Sequence, residues 1–581
     1  MVERRNDDYS GTRPHRPWLL LVVFMAFSGC VSSNKVSQVA TLCENTRYPR
    51  LCVDSLSGLT GGGDVHSAAA ALLNQTIYQA DLPFFEFDKF SSHFVSSHPK
   101  PTLRAIDYLH QNSVKQCQTV SRQCSNSAKQ CTPQLFLGQR EHISKISLVL
   151  NLVGFCNEMM EMSRQRLNQA MTDLKESPEK QKQDIQTWLS AVVTFQQACK
   201  DSVDTSALSS SSSSNTKELL ATISHTVSFH SQLASNALSL VNRMTEDVGG
   251  GISGRGISGR QRKLLQSASD RSKADVVVAK DGTGNYKTVS EAVQSVPGGR
   301  RFVIYVKSGV YKENIHISKD GVTLIGDGKY STIITGDSSV GGGSSLQGSA
   351  TFVITGDGFV AKDIGFENAA GPEAQQAVAL LVASDRSVFY RCSISGYQDT
   401  LYAFSFRQFY RECDISGTVD FIFGNAAAVF QACNLVLRRP ASSQSYNVIL
   451  ANGRSDPGQS TGFSVQNCKI TVGSDFSSVK NTYLGRAWRE YSRAVVIESD
   501  IGGAISERGW IEWPGSSSSS LGKLYFGEYA NVGARAGLGG RVNWPGFHSM
   551  AREEADKFTV EKFIIGNSWL PSTGVSFVSG L

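Results

Sequence analysis

A chain of 581 residues is too long for one ordinary domain, and its 40% hydrophobic content suffices for more than one core. The net charge is only +6, and residues 266–581 carry 30 basic against 29 acidic side chains, so the excess lies in the first half. A nucleic-acid partner, which calls for a basic stripe, is therefore not expected, whereas an acidic polymer is compatible with so mild a bias.

Residues 18–27, WLLLVVFMAF, follow Arg4, Arg5, Arg13 and Arg16 and precede Ser28 and Gly29. The run is short for a membrane span. It has the layout of a secretory signal peptide over residues 1–30, with an uncleaved signal anchor as the alternative. A secreted chain makes disulfides available to its twelve cysteines. Residues 35–245 are predicted helical: 188–203 and 218–244 place apolar residues at three- and four-residue spacings, and Ser209–Ser214 breaks the two apart. Residues 246–265 form a Gly/Ser-rich linker with ISGR twice, ending in Arg262-Lys263-Leu264-Leu265. A dibasic pair in an exposed linker is where a processing protease would cut.

From Ala274 the pattern becomes short β-branched and aromatic strands between Gly/Asp/Asn turns: DVVVAK, RFVIYVK, GVTLIG, STIITGD, ATFVITGDGF and AVALLVA. Helices of crossover length are missing between them, which argues against a doubly wound sheet and leaves a sandwich or a solenoid. A near-repeat favours the solenoid. Residues 389–402 read FYRCSISGYQDTLY and 409–423 read FYRECDISGTVDFIF, so Asp399 and Asp420 lie 21 positions apart. Neighbouring coils of a parallel β-helix are roughly 4.8 Å apart, which sets the two carboxylates side by side. Like charges so close push their pKa values apart, as acid–base catalysis requires. Cys392, Cys413 and Cys433 follow at 21 and 20 residues, and a Cys413–Cys433 bridge is expected from the spacing of adjacent coils.

The motifs GYQDTLY (396–402), GTVDFIFGNAA (417–427), YLGRAW (483–488), GWIEWPG (509–515), LYFGEY (524–529), RVNWPGFH (541–548) and WLPSTGV (569–575) occur in one order. In them the chain resembles the plant pectin methylesterases, in the pro-enzyme form. The resemblance covers about Asp275 to Leu581. It implies a right-handed parallel β-helix with a C-terminal helical tail, acting on methyl-esterified polygalacturonate in the plant cell wall and apoplast. CENTRYPRLC (43–52) is similar to the opening cysteine hairpin of the plant invertase and pectin methylesterase inhibitors, and Cys156 and Cys199 sit where the second family disulfide would be. This implies an all-α four-helix-bundle pro-domain. Cys117, Cys124 and Cys131 lie outside that four-cysteine pattern.

By this resemblance Asp420 is the nucleophile and Asp399 the general acid, then base. Arg486 would hold Asp420 ionised, Gln376 and Gln398 would stabilise the oxyanion, and Trp488 would stack on a sugar. Tyr397 and Trp513 are weaker cleft candidates. The plain structural readings are a turn role for each aspartate, a strand ladder for each glutamine, a surface ion pair for Arg486 and a core role for Trp488. No cofactor and no metal is implied, since the cysteines after residue 265 show no CxxC spacing and the histidines no cluster.

The chain departs from the family pattern at Gln375 (often histidine), Leu381 (arginine), Asn452 (glutamine), Ala487 (proline) and Ser344-Ser345-Leu346 (two threonines). None of these removes a catalytic group. The expected partners are pectin, a subtilisin-like protease at 262–265 and a proteinaceous pectin methylesterase inhibitor, around a monomer. Asn74-Gln75-Thr76 is a glycosylation sequon. The competing readings are a pectin-depolymerising β-helix enzyme and an inhibitor or binding protein acting through the N-terminal region.

Overall fold

The computed structural model describes residues 33–57, 64–78, 133–204, 214–244, 274–442, 446–476, 481–517 and 519–581. The apolar segment 18–27, Cys30, Cys117, Cys124, Cys131 and the linker with Arg262–Leu265 lie outside them.

The N-terminal part is helical. It comprises α1 (Ser33–Cys43), α2 (Pro49–Leu56), α3 (65–78), α4 (Pro133–Glu176), α5 (Pro178–Asp204) and α6 (Ser214–Asn242). The periodic segments 188–203 and 218–244 fall in α5 and α6. Leu72 and Leu73 of α3, Leu167 of α4, Leu189 and Val192 of α5 and Leu233 and Leu238 of α6 form one apolar core, so four helices bundle around it. Cys43–Cys52 closes the α1–α2 hairpin, and Cys156–Cys199 ties α4 to α5. Asn74 is exposed on α3, while the Thr76 hydroxyl is buried and donates to Leu72 O (2.6 Å).

After residue 274 the chain winds as a right-handed parallel β-helix. One sheet has eleven strands, from Val276–Val278 to Phe547–Ser549, and two have eight. Every pairing between these strands is parallel. The six predicted strands are present at 276–278, 302–306, 322–326, 332–336, 352–354 and 380–383. The corner after seven consecutive strands of the long sheet, from Val360–Lys362 to Tyr525–Tyr529, is one residue in the left-handed region: Asp363, Arg391, Glu412, Ala432, Asn467, Glu498 and Ala530, at φ between 49° and 55°. That repeated corner turns the chain in a single step and keeps the coils in register.

Inside the coils, register converts sequence repeats into columns. Phe389 stacks on Tyr410 with ring centroids 4.8 Å apart, and Tyr410 on Phe430 at 4.7 Å. The surrounding core draws only on residues of the β-helix, from Val278 to Trp544. The C-terminal tail packs short helices on the long sheet through Val560, Ile564, Trp569 and Leu570.

The same register corrects one expectation. Cys392, Cys413, Cys433 and Cys468 form a column of buried free thiols, and Cys413 and Cys433 are not bridged. Side chains stacked one coil apart project in parallel at roughly the 4.8 Å strand spacing, whereas bonded sulfurs must approach to about 2 Å. The thiols instead point into the backbone. Cys413 Sγ donates to Phe389 O at 3.4 Å and Cys433 Sγ to Tyr410 O at 3.5 Å. Burial pushes the Cys392, Cys413 and Cys433 thiols well above their ordinary pKa, which suppresses the reactive thiolate. Thiol titration of residues 266–581 is expected to find no reactive group in native buffer and four in denaturant; two in denaturant would establish a bridge.

Candidate functional site

The second sheet, running from Ile315–Ile317 to Trp510–Ile511, carries the site on its outer face. Strand Leu401–Ser405 pairs with Ile422–Gly424, with Leu401 opposite Ile422 and Tyr402 opposite Phe423. Extending that register two residues back sets Asp399 beside Asp420, and Asp399 N donates to Val419 O (3.1 Å) across the same coils. Both aspartates have positive φ, 62° and 52°. Left-handed non-glycine residues cost about 1–3 kcal/mol and cluster at functional sites, and aspartate tolerates the region better than most side chains.

The two carboxyls differ in their partners. Arg486 arrives on strand Thr482–Ala487 and grips Asp420 with two bonds, Nε to Oδ1 at 2.8 Å and Nη2 to Oδ2 at 2.5 Å. Its Nη1 donates to Tyr446 Oη (2.9 Å), and its face lies 4.1 Å from the Trp513 ring centroid. Both aspartates are buried, at 8% and 5% exposure. Burial raises the Asp399 pKa well above the ordinary carboxylate range, and the Asp420 charge pushes it further the same way. Burial also raises Asp420, but there Arg486 opposes the shift by charge and by hydrogen bonding. Arg486 thus favours the anion on Asp420, while burial and the neighbouring charge both disfavour ionisation of Asp399.

Gln376 and Gln398 lie half-buried on consecutive coils, linked by Ala377 N donating to Gln398 O (3.1 Å). Trp488 follows Arg486 by two residues and meets Phe423 edge-on at 6.1 Å. It lies across Gly453, where a Cβ would come within 2.7 Å of the indole, so residue 453 must lack one. Tyr397 turns elsewhere: it stacks under Arg438 at 3.9 Å and accepts from it at 2.6 Å. Leu381 joins the apolar floor with Tyr402, Phe404 and Phe423. Asn452 is structural, with its Oδ1 accepting from Arg493 N (2.8 Å). Among the described residues, no group of three His, Cys, Asp or Glu side chains could hold a metal ion.

Some site residues were missed from sequence. Tyr402 stacks on Phe423 at 4.2 Å and forms the floor beside the aspartates. The 21-residue repeat that pairs the aspartates also pairs these rings and could have found them. Tyr446 directly precedes strand Asn447–Asn452, and nothing in the sequence links it to Arg486.

The helical part covers this floor, with α5 crossing several coils. Asp184 near its start pairs with Arg407 (2.6 Å) and Arg386 (2.8 Å). Phe195 packs on Phe404 (5.6 Å) and Phe406 (5.7 Å). Thr194 Oγ1 accepts from Asn425 Nδ2 (2.9 Å), and Asp201 pairs with Arg489. Arg166 of α4 reciprocates by gripping Asp357 at 2.7 and 2.8 Å.

The raised pKa of Asp399 has a stability consequence. A carboxyl whose folded pKa lies above its unfolded value costs stability, and the cost is absent below the unfolded pKa of about 3.9 and grows as pH rises toward the folded value. Asp399→Asn is therefore expected to melt higher than the parent at pH 7 and at the same temperature near pH 3.5. Melting curves at the two pH values test this, and a lower melting temperature at pH 7 would contradict it.

Residues 275–567 match the Pectinesterase family model, and residues 37–240 match the model for Plant invertase/pectin methylesterase inhibitor. The chain is 49% identical over 416 residues to "Probable pectinesterase/pectinesterase inhibitor 54" of Arabidopsis thaliana, covering 70% of this chain and 74% of that one. It is 45% identical over 434 residues to "Pectinesterase 2" of Citrus sinensis, covering 73% and 81%. Among solved structures, "Pectin methylesterase from Carrot" superposes with a TM-score of 0.52 at 50% identity, covering 53% of this chain and 98% of that chain. The solved carrot chain thus corresponds to the β-helix part alone. With a paired-aspartate cleft on a β-helix and a helical inhibitor-like part ahead of it, this chain belongs to the pectinesterase family, the carboxylic ester hydrolases that remove methyl groups from pectin.

Proposed function

We propose that, in this demethylesterification, Asp420 attacks the ester carbonyl carbon of a methylated galacturonate. The observation that carries the assignment is the asymmetry of the pair: Arg486 binds Asp420 through two bonds at 2.8 and 2.5 Å. The tetrahedral intermediate places negative charge on the former carbonyl oxygen, where the amide N–H groups of Gln376 and Gln398 donate. Collapse breaks the bond to the methoxy oxygen, which takes the Asp399 proton and leaves as methanol. An anhydride to Asp420 remains. Asp399, now ionised, removes a proton from water, and the hydroxide attacks the former ester carbon. Asp420 leaves as the carboxylate, Asp399 is protonated again, and the product acid loses its proton to solvent. Trp488 stacks on a sugar ring beside the reacting ester, over the floor of Tyr402, Phe404 and Phe423.

The same reading makes the full chain a secreted precursor of cell-wall location. Residues 1–30 direct export, 35–245 restrain the enzyme, 246–265 are cut by a subtilisin-like protease at 262–265, and 266–581 are the active unit. The two matched ranges, 37–240 and 275–567, support these boundaries. The position of α5 over the aromatic floor supports the restraint, because a polysaccharide and α5 compete for one surface.

Methanol release from highly methylated pectin is the test. Residues 266–581 are expected to be active, Asp420→Asn to lower the rate by about three orders of magnitude or more, and the uncut chain to be slower than the fragment. Asp184→Arg in the uncut chain, which sets a cation against Arg386 and Arg407, is expected to raise its rate toward that of the fragment. Full activity of Asp420→Asn would remove the assigned nucleophile, and equal rates for uncut chain and fragment would remove the restraint.

A further inference from the structure

Arg489 is a cation held in place for a carboxylate that the β-helix does not supply. It follows Trp488 in a tight turn, where its backbone N–H donates to Ser492 Oγ (3.2 Å) and Ser492 N donates to its carbonyl (3.1 Å). Its guanidinium carbon lies 5.5 Å from the Trp488 ring centroid. The neighbouring arginines of this face each have a carboxylate partner within the β-helix: Arg486 has Asp420, and Arg407 has Asp385 at 2.5 Å besides Asp184 of α5. Glu490, next in sequence, pairs with Lys523. Among the described residues, Arg489 forms its ion pair with Asp201 of α5 alone.

The way α5 presents that carboxylate is informative. Thr194, Gln197, Ala198 and Asp201 share one helical face by their three- and four-residue spacing, and all line a small cavity closed on the other side by Tyr402, Gly424, Trp488 and Arg489. Gln197 Nε2 donates to Asp201 Oδ1 (2.8 Å) and aims the carboxylate at Arg489. The helical part thus places an anion beside the sugar-stacking tryptophan, on the same floor as Asp399 and Asp420.

We propose that Arg489 is a binding subsite for a free galacturonate carboxylate on the substrate chain, and that Asp201 occupies this subsite in the uncut protein. The proposal rests on the esterase reading of the cleft. A methyl ester is neutral and gains little from a guanidinium, whereas a carboxylate forms a charge-assisted pair. The subsite therefore distinguishes a demethylated neighbour from a methylated one, and it favours attack next to residues already converted. The overall balance of 30 basic against 29 acidic side chains in residues 266–581 gives no general attraction for a polyanion, so this selectivity is local.

The test is calorimetric binding of unesterified and fully methylated oligogalacturonates to residues 266–581, the part with its own core and with a solved counterpart of matching extent. Arg489→Gln is expected to weaken binding of the acid oligomer about three- to fivefold, the range of a partly exposed ion pair. The effect on the methylated oligomer should be smaller. Arg489→Lys should restore most of the loss, and added salt should shrink the difference between parent and Arg489→Gln. An unchanged ratio of acid to methyl affinity in Arg489→Gln overturns the subsite. Methanol release by the parent fragment, measured alongside, separates the outcomes: its absence counts against the esterase reading, while the binding ratio decides Arg489 on its own.

Discussion

Parallel, in-register stacking of coils is the constraint on which the rest of this structure depends. Once each strand pairs with the strand of the next coil, side chains at matching positions are brought to roughly the strand spacing, whatever their chemistry. Aromatic rings gain from this, as the column Phe389–Tyr410–Phe430 shows. Two carboxylates lose, because like charges repel in a site with little water. Asp399 and Asp420 persist side by side because one of them is neutralised by a proton and the other by Arg486. Removing either partner of the buried Asp420–Arg486 pair would leave an uncompensated charge, typically a loss of about 3–5 kcal/mol. The fold thus supplies the proximity, and strand Thr482–Ala487 supplies the cation that makes the proximity useful.

The helical part meets the β-helix through two kinds of contact. An apolar patch centred on Phe195 covers the aromatic floor. Around it the charges are reciprocal: Asp184 and Asp201 go to arginines of the β-helix, while Arg166 and Arg47 go to its aspartates. Reciprocal pairing fixes orientation better than it adds affinity, since partly exposed ion pairs contribute little each. Under the proposed restraint, such a surface suits a part that is bound at first and released on cleavage. The burial of Asp399 and Asp420 described above is that of the covered cleft, so uncovering it returns water to the pair and reduces the desolvation that sets their titration.

The sequence by itself determined a good deal. The shift at Ala274 from apolar residues at three- and four-residue spacings to short β-branched and aromatic runs between turn residues separated helical from β regions, and the 21-residue repeat pointed to the solenoid and the aspartate pair. Both follow from local chemistry repeated along the chain, which is why they are legible there. The family motifs then named Arg486, Gln376, Gln398 and Trp488. Tertiary structure alone decided how these groups meet. Sequence spacing suggested a Cys413–Cys433 bridge, but stacked side chains run parallel and the thiols stay apart. Tyr446 reaches Arg486 across 40 residues, and Asp201 reaches Arg489 from another part of the chain. Contacts between segments so distant depend on coil register and on how α5 lies over the floor, and no local pattern of residues encodes either.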